Sequence, residues 1–140
     1  PSSNFSLGVN IFFEMNKQLS KIMNRQKTYY AKIRETHHTE KVDSPSGTAI
    51  TTAEIILEEM DHYSNWVSNT SNYGNKLPII AKRQAGVAGT HQVIYESNID
   101  ELSISHRAKN RDGFAIGAII AAEFLYNKKG LFSMKDVVKF

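Results

Sequence analysis

His37 and His38 stand side by side, Lys41 follows within one helical turn's distance, and a turn then ends in Ser46-Gly47-Thr48. An imidazole moves protons near neutral pH, and an ammonium group stabilises negative charge beside it. A helix that opens on Ser46-Gly47-Thr48 presents unpaired backbone N–H groups and the positive end of its dipole to an anion. Gly47 lets a ligand come close to the backbone, and Ser46 or Thr48 adds a hydroxyl. These residue types in this order predict a site that binds a carboxylate and moves a proton.

A strand and a helix must hold that set in place. Between Lys27 and His37 the residues alternate, with Tyr29, Ala31, Ile33 and Glu35 on one face and Tyr30, Lys32 and Arg34 on the other. Continued alternation sends His37 and His38 to opposite faces unless the backbone has left the strand between them. Beyond Pro45, which suits a helix start, Ala49, Ala53, Ile56, Leu57 and Met60 repeat at helical spacing from Ser46 to Met60.

The remaining chain supplies the support. Val9, Phe12, Phe13, Leu19, Ile22 and Met23 predict a helix over 9–25, capped by Ser6. The polar stretch from Asp61 to Leu77 reads as a long excursion with a single helical turn. Short strands are expected over 78–83, 90–97 and 101–109, the last two joined as an antiparallel hairpin by Asn98-Ile99-Asp100. Gln84 to Gly89 carries two glycines and reads as a bend; it is not a phosphate-loop or dinucleotide fingerprint. The segment 112–127 is apolar nearly all round, which predicts a helix buried between layers or at a subunit contact. The expected fold class is α+β: three helices packed on one face of a mixed sheet of about four strands.

Composition narrows the function classes. A chain of 140 residues with 41% apolar and 22% charged content reads as one globular domain. No apolar run is long enough for a membrane span, and no signal peptide is visible. The absence of cysteine removes thiolate chemistry and is compatible with a cytoplasmic protein. A net charge of +3, with its cations spread along the chain, gives no reason to expect nucleic acid. A metal-dependent hydrolase using Glu35, His37, His38 and His91 is a weaker alternative, because adjacent strand histidines face apart and no His-Glu-x-x-His spacing occurs; no metal is expected. His91 and His106 read as structural. For Arg83 and Arg111, holding a carboxylate or a neighbouring subunit and ordinary ion pairing stay equally open. A start at Pro1 that runs almost at once into a helix reads as a piece cut from something longer.

The stretch from Glu35 to Ala49 closely resembles the signature of the dihydrodipicolinate reductase family, E-x-H-H-x-x-K-x-D-A-P-S-G-T-A, with Ser44 where alanine is usual. Asn4 to Asn10, Arg83 to His91, Ser105 to Arg111, Gly117-Ala118 and Gly130 to Val137 follow in the family's order. The resemblance implies a 4-hydroxy-tetrahydrodipicolinate reductase of diaminopimelate and lysine biosynthesis, which reduces a cyclic imine dicarboxylate with NADPH or NADH. It implies His37 as general acid and Lys41 as second proton donor or electrostatic stabiliser. It implies His38, Ser46, Gly47 and Thr48 as substrate-binding positions, and Ser2, Ser3, Asn4 and Phe5 as the loop touching the cofactor's nicotinamide end. Family members begin with a Rossmann domain, and no such glycine-rich unit is read here. Residues 1–8 are then expected to be a remnant of the cofactor-domain hinge, and 9–140 the substrate-binding and oligomerisation domain of a homotetramer. On its own such a piece is expected to be inactive; the alternative is a non-catalytic module that binds a dicarboxylate and assembles.

Overall fold

Ala31 and Ile33, at alternate positions in the first half of β1 (Tyr30–His37), decide which face of the sheet the helices cover. The computed structural model describes residues 4–70 and 74–140. Around β1 it places α1 (Leu7–Met23), α2 (Gly47–Glu59), β2 (Asn65–Ser68), β3 (Lys76–Arg83), β4 (Gly89–Glu96), β5 (Glu101–Ala108), α3 (Asp112–Leu125) and α4 (Met134–Val138). The strands form one mixed sheet in the order β2-β3-β1-β4-β5, so β1 is central. It runs parallel to β3 and antiparallel to β4.

Register does the rest. Ile33 lies beside Ile79 on one side and Val93 on the other, and all three are fully buried. Phe12 of α1 and Ala49, Ala53 and Ile56 of α2 pack onto this row, so both helices sit on the same face. Two polar contacts tie the packing together: Asn16 Nδ2 donates to the Thr52 carbonyl at 3.0 Å, and Ser20 Oγ shares a hydrogen bond with the Tyr95 hydroxyl at 2.9 Å. The opposite face, with Arg34, Ile80, Lys82 and Gln92, is an open groove.

The α+β expectation with helices on one face is met, and the 98–100 hairpin forms as read, closed by Ser97 N donating to the Asp100 carbonyl at 2.9 Å. The sheet has a fifth strand. β2 lies within the supposed polar excursion and pairs in parallel with the start of β3, Trp66 opposite Leu77. A strand of this length with flanking Asn and Ser gives little alternation to read, and its pairing is made by a distant neighbour. The short helix α4 in the tail was likewise not expected. The third correction concerns α3, which is not buried between layers of this chain: only Gly117 and Ala121 are buried, while Ile116 and Ile119 stand 55% and 58% exposed, and the subunit-contact alternative stays open. The contact is narrow because a side chain has no room there. A Cβ on Gly117 would lie 1.8 Å from the Phe5 carbonyl oxygen, so the backbone before α1 rests directly on the glycine.

Candidate active site

β1 ends at His37, on the same face as Ile33 and Glu35, and the chain leaves the strand there. The end is tied by Gln84 N, which donates to the His37 carbonyl at 2.7 Å. His38 therefore escapes the strand's alternation, and both imidazoles line one cleft of about 260 Å³. Lys41 lines it too, its Nζ 2.7 Å from Asp43 Oδ1, and that ammonium holds the Asp43 carboxyl below the usual range. So do Ser46, Gly47 and Thr48 at the start of α2. Ser46 is the N-cap, in extended conformation, with Oγ accepting from Ala49 N at 3.2 Å. The amides of the first helical turn are thereby aimed at the same space as the lysine.

Beneath the cleft lies a charge that spacing did not single out. Glu35 is 1% exposed, and its Oε1 accepts from Ser46 N at 3.0 Å. Oε2 stands 3.0 Å from His37 Nδ1 and 3.7 Å from His91 Nε2, and Arg83 Nη1 lies 3.6 Å from Oε1. Burial pushes this carboxyl up, but His37 and the amide and hydroxyl of Ser46 outweigh it and hold the pKa at about 2. His91 is directly opposite Glu35 in the β1–β4 register. Burial first, and then its neighbour His37, push its pKa down to about 4, so it is neutral near pH 7. Its ring meets His37 edge-on at 4.9 Å between centroids, and its Nε2 lies 3.1 Å from Ser46 Oγ.

The residues expected at the site divide in three. His37, His38, Lys41, Ser46, Gly47 and Thr48 converge on the cleft. Asn4 joins them from the start of the chain: it is 7% exposed, its Nδ2 donates to Thr48 Oγ1 at 3.3 Å, and its Oδ1 accepts from Ser6 N at 2.8 Å. Phe5 does not join them; its side chain lines a separate apolar groove with Ala121, Leu125 and Phe132. Ser2 and Ser3 lie outside the described residues.

Sequence reasoning named Glu35 and His91 only as ligands of the weaker metal alternative and left Arg83 open, so it missed Gly89 and the buried contacts that join Glu35 to His37, His91 and Arg83. The signal for Glu35 was its place two residues before His37, on the same strand face. Gly89 sits against His37: a Cβ there would stand 3.0 Å from Nε2. His106 and Arg111 also line the cleft, and burial lowers the His106 pKa.

Two cofactor questions can be put to this geometry. Glu35, His37 and His91 have ligand atoms within 4.8 Å of one another, which would suit a divalent cation, and His38 is outside that group. For a dinucleotide the fit is poor. The helix starts at the cleft carry one glycine each, Gly47 in α2 and Gly113 in α3, where a pyrophosphate turn needs several, and about 260 Å³ suits a small dianion.

The family model for the C-terminus of dihydrodipicolinate reductase matches residues 8–138. A 4-hydroxy-tetrahydrodipicolinate reductase from Christiangramia forsetii is 51% identical over 137 residues, covering 98% of this chain and 57% of that protein. One from Methanopyrus kandleri is 37% identical over 142 residues, covering 98% and 51%. The chain thus spans about half the length of the curated relatives it matches. Among solved structures, a dipicolinate-bound dihydrodipicolinate reductase from Paenisporosarcina sp. TG-14 shares the fold, with a TM-score of 0.73 at 22% identity over 94% of this chain and 51% of that one. On this match over nearly its whole length, the chain belongs to the dihydrodipicolinate reductase C-terminal family.

Proposed function

We propose that this chain is the substrate-binding half of an NAD(P)H-dependent 4-hydroxy-tetrahydrodipicolinate reductase in diaminopimelate and lysine biosynthesis, acting on a cyclic imine dicarboxylate. The observation that carries the reading is the convergence of Lys41, two imidazoles and a capped helix start on one cleft sized for a small dianion. The α2 amides and Lys41 take a carboxylate, with the Ser46 and Thr48 side chains and His38 beside them. A reduced nicotinamide dinucleotide, when bound, supplies the hydride. Addition of hydride at one carbon of the imine leaves a proton to be delivered at its neighbour, and His37, whose Nε2 faces the Gly89 side of the cleft, delivers it. Lys41 stabilises the charge that develops in the ring or acts as second donor. Asn4, at the cleft edge, is the described residue best placed to touch the nicotinamide end.

Since nothing among the described residues cradles a pyrophosphate, the chain alone is expected to turn over little or no substrate. The exposed apolar side of α3 supports the assembly half of the reading, in which the protein works as a homotetramer. Calorimetric titration with pyridine-2,6-dicarboxylate tests the site. Wild type is expected to bind, and Lys41→Ala to bind about tenfold more weakly, the loss of one charge-assisted contact. Failure of both to bind at millimolar ligand would sink the reading. The cluster of Glu35, His37 and His91 favours one rival, a metal-dependent hydrolase; stoichiometric zinc in the purified protein would support that rival instead.

A further inference from the structure

Glu35 is buried at the cleft yet lines none of it, and its carboxylate faces a different part of the site from each oxygen. Oε1 holds Ser46 N at 3.0 Å, which fixes the start of α2, and lies 3.6 Å from Arg83 Nη1. Arg83 reaches on to the loop that carries the lysine. Its Nε donates to the Lys41 carbonyl at 3.2 Å and its Nη2 to the Asp43 carbonyl at 2.5 Å. Oε2 faces His37 Nδ1 at 3.0 Å as a close ion-pair contact, and both atoms are buried with no hydrogen bond of satisfactory geometry among the described residues. The far side of the same ring is kept open by Gly89, where a Cβ would come within 3.0 Å of Nε2.

We propose that Glu35 is the positioning residue of this site: it fixes the His37 tautomer through Nδ1, so that Nε2 is the atom offered to the cleft, and through Arg83 it fixes the backbone of Lys41. A buried anion is costly to keep where an apolar residue would pack as well. Here it meets the imidazole and the helix start directly and reaches the lysine loop through Arg83, three pieces that no local hydrogen bond could join. Arg83, left open between ion pairing and carboxylate binding by the sequence, is the second link of the same chain. The proposal rests on the reading of His37 as proton donor, and its test separates the two.

Glu35→Gln keeps the volume and removes the charge. Its amide can donate to His37 Nδ1, which inverts the tautomer, the kind of change that cripples an acid–base imidazole while leaving binding intact. In the full-length protein kcat is expected to fall about 100-fold, with KM rising by no more than about tenfold, the share carried by the Arg83–Lys41 link. In parallel, histidine 15N NMR is expected to show His37 protonated at Nδ1 in wild type and no longer so in the variant. An unchanged tautomer overturns the positioning role whatever the substrate proves to be. A wild type that binds no dicarboxylate, with the tautomer shift still seen, sinks the functional reading and leaves the positioning role standing. Should Glu35→Gln fail to fold, Arg83→Met carries the test with Glu35 in place. Its affinity for pyridine-2,6-dicarboxylate is expected to drop about tenfold as the Lys41 loop loosens, with the His37 tautomer kept; an unchanged affinity overturns the link to Lys41.

Discussion

Replacing His91 by glutamine removes an imidazole that is 5% exposed and neutral in the fold. Burial and the nearby His37 push its pKa from 6.5 down to about 4, with Glu35 pulling the other way and His106 and Lys41 adding smaller pushes in the same direction as burial. The unfolded chain takes up this proton near pH 6.5, while the folded chain refuses it until about pH 4. Stability from this residue is therefore complete above pH 6.5 and is lost as pH falls through that window. At roughly 1.36 kcal/mol per pH unit the whole gap is worth about 3 kcal/mol, of which about 2 kcal/mol is lost between about pH 7 and about pH 5. Glu35 does not contribute in that range, because its own window runs from 4.5 down to about 2. His62 and His106, also lowered by burial, act in both proteins and cancel in the comparison. Urea unfolding followed by Trp66 fluorescence at the two pH values measures the difference. Wild type should lose about 2 kcal/mol more than His91→Gln on acidification. Parallel losses in the two proteins would refute a buried neutral imidazole beneath the cleft.

Two glycines give further checks. Gly89→Ala places a Cβ against His37 Nε2, so the ring must give by a few tenths of an ångström; turnover of the full-length protein is expected to fall about tenfold, with a small change in melting temperature. Equal turnover would mean that the ring edge at Gly89 is not the working edge. Gly117→Ala drives a Cβ into the Phe5 carbonyl, and because that neighbour is backbone it cannot swing aside. Thermal unfolding should show a destabilisation of about 1–3 kcal/mol, and a neutral result would place the segment before α1 elsewhere than against α3.

Local sequence was enough for the parts of the site that are contiguous. The alternating run into His37, the proline before Ser46 and the helical repeat after it make a strand, a turn and a capped helix start by short-range rules, and the structure has all three. That is why the anion-and-proton reading could be made from residues 35–49. What local pattern could not supply was register. Glu35 meets His91 because β4 pairs antiparallel to β1, and Arg83 meets His37 because β3 pairs parallel to it from the other side. Those partners are set by packing between strands far apart in the chain, and a slip of one residue would turn His91 and Arg83 away from Glu35. The same reason explains α3: its sequence said apolar, but only the tertiary arrangement, with the Phe5 backbone resting on Gly117, decided how little of that surface this chain covers.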